Sequence, residues 1–220
     1  MKSKARLYDA LEFLPCSRIE AFRSGYVVYS ADHPPENLYV VIDGRVKLSR
    51  STEEGEQVVV AICGRDEFFG ESAFLQNGKR PEDATALDDT KVMSWPRAEV
   101  EALIFKRPLL GMALVQSLAA RVLEFSHRIE SFSLDAIGQR VARCLLGMAL
   151  RMGNPSEDGW LTMGPVTHEL LSQYAGTSRE IVTLYMNRLR RAGAIAYSRS
   201  EISLHPEKIG QWIRDGSSRE

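Results

Sequence analysis

Gly176-Thr177-Ser178-Arg179-Glu180 stands between two short helical patterns near the C-terminus, with Ile181-Val182-Thr183-Leu184-Tyr185-Met186-Asn187-Arg188-Leu189 directly after it. A first helix over residues 166–175, with Thr167 able to cap it, would bury Leu170, Leu171 and Tyr174. Gly176 supplies a tight turn, and a second helix then packs Val182, Tyr185, Met186 and Leu189 inward. That spacing leaves Ser178, Arg179, Glu180 and Thr183 outside, at the N-terminal end of the second helix. From there a helix-turn-helix reaches base edges in the major groove, Arg toward guanine and Glu toward cytosine. The alternative is an ordinary helical hairpin with a solvated Ser-Arg-Glu cap. Leu184 lies four residues after Glu180 and so on its face, where it would favour a thymine methyl. A slightly rotated helix would instead send it into the core beside Val182 and Tyr185.

The flanks support the same arrangement. Arg191-Ala192-Gly193 ends the second helix, after which Ile195-Ala196-Tyr197 and Glu201-Ile202-Ser203-Leu204 read as two strands joined by Ser198-Arg199-Ser200. Strands beside a helix-turn-helix make a wing. Upstream, residues 136–152 form a helix carrying Val141, Cys144, Leu145, Met148 and Leu150, residues 153–159 a loop, and residues 160–163 a short strand. Residues 215–220 read as a polar tail.

From Gly25 to about Trp95 the pattern changes to short strands. Leu38-Tyr39-Val40-Val41-Ile42 and Arg45-Val46-Lys47-Leu48-Ser49-Arg50 flank Asp43-Gly44, a strong hairpin signal. Glu53-Glu54-Gly55-Glu56 is a second turn, residues 57–62 a β-branched run, and Val92-Met93-Ser94-Trp95 another strand. Closely spaced short strands imply a barrel or sandwich. After Pro96 comes a short helical pattern over residues 97–105, and Pro108 then opens a long helix. Leu110, Leu114, Leu118, Phe125, Ile129 and Phe132 give it an apolar side too extensive for one small barrel, so the spare face is expected to meet a second copy. The alternative is that it only covers the open side of the barrel. Gly138 and the altered pattern after Asp135 mark a boundary.

The 220 residues, 44% of them hydrophobic, suffice for two small cores, and the net charge of −1 hides an asymmetry. Residues 1–133 hold 17 Lys or Arg against 20 Asp or Glu, whereas residues 164–220 hold 8 against 6. The C-terminal part is thus mildly basic, as suits a DNA reader. No run is expected to span a bilayer, and the basic first six residues lead to Asp9 and Glu12 rather than to a signal-peptide apolar core, which places the chain in the cytoplasm with no membrane partner. Cys16, Cys63 and Cys144 match no ligand spacing and are expected to be buried, reduced thiols. His33, His127, His168 and His205 are too scattered for a metal site, although sequence leaves a haem ligand among them open. His168, beside the cap, is either phosphate-contacting or solvated. Asp66, Glu67 and Glu71 lie in a turn without an orienting partner, so no enzyme is indicated.

This order of parts resembles the Crp/Fnr family of bacterial transcription regulators. Leu38 to Val46, Phe69-Gly70-Glu71 and Ala86-Leu87-Asp88-Asp89-Thr90 look like the double-stranded β-helix of cyclic-nucleotide-binding domains. Thr177-Ser178-Arg179-Glu180-Ile181-Val182 and Leu189-Arg190-Arg191-Ala192-Gly193-Ala194-Ile195 look like the family's recognition helix and its exit. The resemblance implies an α+β chain: an N-terminal double-stranded β-helix (jelly roll) sensor domain over residues 1–107, a long dimerisation helix and hinge over 108–134, and a C-terminal winged helix-turn-helix domain over 135–220. It implies a homodimer on a roughly palindromic double-stranded DNA operator, with RNA polymerase as a further partner. Thr167, His168, Thr177, Ser178, Arg179, Glu180, Thr183, Leu184 and Arg188 are the candidate DNA-contacting residues. A small-molecule effector in the β-domain would meet Gly70, Glu71, Arg80, Arg121, Phe125 and Ser126. Cyclic AMP is disfavoured as that effector. The phosphate-holding Arg-Ser or Arg-Thr pair of cyclic-AMP responders is Arg80-Pro81 here, Pro81 offers no donor, and Glu82 and Asp83 add negative charge. Phe125-Ser126 likewise stands where responders carry Thr-Ser. The competing reading makes Gly70 a turn and joins Glu71 to Arg80 as an ion pair. A further alternative for the whole chain is a cyclic-nucleotide-binding module controlling a partner enzyme.

Overall fold

The computed structural model describes residues 7–55, 57–75 and 78–216. Glu56 of the second turn, the basic first six residues and the last four of the tail lie outside the described residues. The chain forms two compact units, residues 1–52 with 60–127 and residues 53–59 with 128–220.

The first unit is built on β1 (Arg18–Phe22), β2 (Val27–Tyr29), β3 (Asn37–Asp43), β4 (Val46–Ser51), β5 (Gln57–Cys63), β6 (Phe68–Phe69), β7 (Asp83–Ala86) and β8 (Thr90–Pro96). They lie in two four-stranded sheets of order β1-β8-β3-β6 and β2-β7-β4-β5. Asp43-Gly44 therefore does not close a hairpin. β3 pairs with β8 and β6, β4 pairs with β7, and the turn carries the chain from one sheet to the other. The local signal was overridden by a tertiary anchor. Arg45, 8% exposed, makes a bidentate pair with Asp88 at 2.5 and 2.8 Å, tying the corner to the β7–β8 turn.

Strand alternation divides the apolar side chains between two cores. Leu38, Val40 and Phe68 face an outer core with Trp95, Val100, Leu110 and Ala113. Val41 and Phe69, with partly buried Tyr39, face an inner core with Tyr29, Val46, Leu48, Ala61, Cys63, Ala84 and Val92. Each large side chain so enclosed contributes about 1.5–3 kcal/mol.

Two helices follow, α1 (Arg97–Lys106) and α2 (Pro108–Leu134). The expected apolar side of α2 divides in two. Leu110 and Ala113 are buried in the outer core, with Leu114 packed against it, and Phe125 packs against the inner one. A separate stripe of Val115, Leu118, Val122, Ile129 and Phe132 remains exposed. These positions follow a 3.5-residue repeat whose remaining seat, position 125, is the inward-turned phenylalanine. By length and composition α2 could cross a membrane, contrary to the expectation that no run approaches that length. Its buried contacts with the β-domain core give those residues another role.

The second unit contains α3 (Ile137–Met152), β9 (Asn154–Pro155), β10 (Leu161–Met163), α4 (His168–Ala175), α5 (Arg179–Arg191), β11 (Ile195–Tyr197), β12 (Ile202–Leu204) and α6 (Pro206–Gly216). Its sheet has the order β11-β12-β10-β9, so the wing is extended by two strands. Three expectations are corrected. Asn154-Pro155, read as loop, pairs with β10. Residues 166 and 167 precede the first helix of the pair rather than opening it. Residues 215 and 216, read as polar tail, end an amphipathic helix whose Ile209 and Ile213 are buried. Cys16 is exposed, while Cys63 and Cys144 are buried as expected.

Candidate DNA interface and effector site

The geometry of the helix pair follows from caps and one close approach. Thr167 caps α4, its hydroxyl accepting from Leu170 N at 3.0 Å, and Ser178 caps α5, accepting from Ile181 N at 3.4 Å. Between them Gly176 adopts φ 61°, ψ 54°, a left-handed conformation that other residues resist. Arg140 on α3 clamps the turn, donating from Nε to Ala175 O at 2.8 Å and from Nη2 to Gly176 O at 3.4 Å. Gly138 marks more than a boundary. A Cβ there would sit 2.3 Å from the Tyr185 ring, so α5 rests directly on the α3 backbone.

Seated in this way, α5 buries Val182, Tyr185, Met186 and Leu189 and exposes Ser178, Arg179, Glu180 and Arg188. Leu184 is 47% exposed, which places it on the outward face rather than in the core. Hydrogen bonds from its own backbone N–H and from the Ser178 hydroxyl hold the Glu180 carboxyl below the usual carboxylate range. It is therefore an ionised, acceptor-only group at neutral pH. The Arg188 guanidinium lies 5.1 Å over the Tyr185 ring, and Arg190 lies 5.5 Å over Tyr197 of the wing.

His168 and Thr183 differ from expectation. Both are half-buried, and the His168 Nδ1 lies 2.8 Å from Thr183 Oγ1. With the Thr183 hydroxyl assigned as donor to Arg179 O at 2.9 Å, the tautomer that fits this contact carries its proton on Nδ1 and donates to Thr183. His168 thus braces the first turn of α5 against α4, with its ring edge-on to Tyr197. Burial first, and Arg179 second, push its pKa below the ordinary histidine value. Thr183 has spent its one hydroxyl proton on the backbone, leaving a methyl and a lone pair for a partner. Thr177 is half-buried in the turn, its N–H donating to Ser172 O.

In the β-domain, the candidate effector residues do not all converge. Glu71 pairs with Arg121 at 2.7 Å and not with Arg80, and Arg121 also donates to Phe68 O. Arg80 lies instead beneath Gly70, where an added Cβ would approach its Nη1 to 3.2 Å. Its guanidinium, 4% exposed, stacks 3.8 Å over the Tyr29 ring and donates from Nη2 to Asn37 O at 3.3 Å. Stacking supplied a partner that the ion-pair reading assigned to Glu71. Among the described residues the buried Nε and Nη1 donors of Arg80 find no hydrogen-bond partner. Pro81 is exposed, whereas Glu82 is buried and accepts from the Tyr29 hydroxyl at 3.3 Å. Burial first, and the Glu71 charge second, push the Glu82 carboxyl above its usual range. Ser126 is exposed and returns its hydroxyl to Val122 O, away from the inner core. Tyr29 escaped sequence reading, although the Val27-Val28-Tyr29 run beside Gly25 was an available signal, and Glu82 stood out only as negative charge beside Arg80 rather than as a buried partner of Tyr29. Among the described residues no cluster of His, Cys, Asp or Glu could hold a metal ion.

Comparison with known proteins agrees with both halves. The cyclic nucleotide-binding domain matches residues 19–107 and the Crp-like helix-turn-helix domain matches residues 139–208. The cyclic AMP receptor protein of Thermus thermophilus is 34% identical over 161 residues, spanning 72% of this chain and 70% of that one. The chain belongs to the Crp/Fnr family. Crp/Fnr proteins are transcription regulators that bind DNA through this helix-turn-helix, with dimers and effector control typical of the family, and they are not enzymes. A second relative, the global nitrogen regulator of Synechococcus elongatus, is 29% identical over 197 residues, covering 88% of this chain and 89% of its own. The structure of FixK2 from Bradyrhizobium japonicum superposes with a TM-score of 0.76 at 21% identity, over 89% of this chain and 96% of that one. That likeness shows the Crp/Fnr fold, and the Crp-like helix-turn-helix match favours the DNA-binding regulator over a module that controls a partner enzyme.

Proposed function

We propose that the chain binds a two-fold operator as a homodimer, with one α5 in each of two successive major grooves, and reads bases through Arg179, Glu180 and Leu184. The observation that carries this reading is the two-faced α5. Its buried side is locked onto α3 and α4, while its first turns present a guanidinium, an ionised carboxylate and an apolar side chain together. Thr167, Ser178 and the wing arginine Arg199, all exposed, would meet phosphates, which position without specifying. Two-fold pairing is supported by the exposed α2 stripe, whose 3.5-residue repeat suits a second copy. As a regulator of this kind it would work in the cytoplasm, within reach of RNA polymerase. Selection of bound sequences from random duplex DNA tests the proposal. The expected result is a palindrome whose half-sites lie about 10–10.5 base pairs apart, centre to centre. Recovery of unrelated sequences would refute it.

The relatives' names point to different signals, cyclic AMP for one and nitrogen for another. We infer that cyclic AMP is a poor effector here. Arg80 retains two buried donors that suit a small anion, yet Pro81 adds no donor and Phe125 brings a ring where a purine would need a hydroxyl. Calorimetry is expected to give no micromolar binding of cyclic AMP. Micromolar binding that also tightens operator affinity would overturn this reading.

A further inference from the structure

The first unit holds a recess of about 480 Å3, within the range of roughly 300–1,000 Å3 typical of small-molecule sites. Its wall is formed by Leu38, Phe68, Phe74, Ile104 and Leu114, all of them apolar. Strand alternation settles which side of the sheet it occupies. Leu38 and Phe68 belong to the outer core, and their sequence neighbours Tyr39 and Phe69 to the inner one, so the sheet separates this recess from the aromatic cage around Arg80. Gly111 of α2 lies on the lining, where an added Cβ would approach Ile104 Cγ2 to 3.2 Å. The polar side chains of the wall are Ser117 and the Glu71–Arg121 pair, whose carboxylate and guanidinium lie 2.7 Å apart. Such a pair is neutral as a whole, and it offers an acceptor and a donor side by side. A ligand ion placed there would bring an uncompensated charge into apolar surroundings. A hydroxyl can donate to the carboxylate and accept from the guanidinium at once.

We propose that this recess is a binding site for a neutral, apolar small molecule carrying a hydroxyl group, an aliphatic alcohol or phenol. The apolar body lies between Phe68, Phe74, Ile104 and Leu114, and the hydroxyl meets Glu71 and Arg121. Val115 and Leu118 line the same recess and belong to the exposed α2 stripe, so a bound molecule also touches that seam. The site is independent of the operator reading, since its test contains no DNA.

The test titrates the full-length protein with 1-decanol, decanoate and decylammonium, followed by calorimetry and by methyl resonances. Decanol is expected to bind at least about tenfold more tightly than either charged analogue, a difference of about 1.4 kcal/mol or more. The methyls of Ile104 and Leu114 should shift while those of Val41 and Val46, in the inner core, stay in place. Gly111→Leu gains helix propensity but must displace Ile104 by a few tenths of an ångström, so it is checked for an unchanged cooperative melting transition, and it should lose decanol binding by at least about tenfold. Equal affinity for the three probes, shifts confined to Val41 and Val46, or undiminished binding by Gly111→Leu would each overturn the proposal. So would the absence of decanol binding together with Ile104 and Leu114 resonances that move on dilution, which would assign the recess to a side chain of a second copy.

Discussion

Leu184→Arg separates a base-reading residue from a misplaced core residue, and the structure sets both magnitudes. At 47% exposure Leu184 is half in water, so the substitution is expected to change stability by no more than about 0.5 kcal/mol. A buried leucine at the same place would cost about 1–3 kcal/mol or more when replaced by a cation. On DNA the new guanidinium stands one turn beyond Glu180 on the same face, where it can make a bidentate contact with guanine. Such a contact discriminates by about 1–3 kcal/mol, or roughly fivefold to 150-fold at each half-site. The original leucine offers only apolar contact to a thymine methyl, so the preferred base at one position of each half-site should change from thymine to guanine. Competition binding with operators varied at single positions measures the preference, and thermal denaturation of the same protein measures the stability. An unchanged base preference in a stably folded Leu184→Arg dimer would refute the reasoning.

Arg179→Ala should weaken specific operator binding by about 1–3 kcal/mol while affecting random DNA far less; equal losses on both would show that Arg179 only touches phosphate. Gly138→Ala should destabilise the helix-turn-helix unit by about 1–3 kcal/mol, because its Cβ would lie 2.3 Å from the Tyr185 ring, and an unchanged melting temperature would mean that α5 does not rest on α3. The depressed pKa of His168 means that the unfolded chain takes up a proton before the folded one does. Its contribution is therefore complete above about pH 6.5 and is lost as pH falls toward and through the folded pKa. Protonation leaves the Nδ1–H bond to Thr183 intact but sets a second cation against Arg179. Acidification should accordingly lower the melting temperature more in the parent than in His168→Gln, and parallel pH profiles would rule this out.

Much of the DNA-binding half was legible because its signals are local. The caps at Thr167 and Ser178, the left-handed turn at Gly176 and the inward spacing of Val182, Tyr185, Met186 and Leu189 each depend on a few neighbouring residues. Periodicity is weaker where two faces of one element are both apolar. On α2 it marked a long apolar helix, but Leu110 and Val122 look alike in sequence, and only packing against the outer core told the covered face from the open one. Leu184 posed the same problem, since a rotation of α5 by part of a turn exchanges solvent for core, and the contact of Tyr185 with Gly138 on another helix decides it.

The amino-acid sequence by itself determined the helix-turn-helix pattern, the two-part organisation and the family, and it marked the exposed N-terminal end of α5 as the candidate DNA-contacting end. Those properties rest on period, capping and turn chemistry, all of which act over a few residues. Tertiary structure alone decided that Asp43-Gly44 is a corner between sheets, since Arg45 finds Asp88 forty-three positions away. It likewise decided that Glu71 meets Arg121 while Arg80 lies over Tyr29, and that His168 braces Thr183. Charged and polar side chains settle on whichever partner the folded backbone brings within about 3 Å, and sequence separation carries little information about that distance.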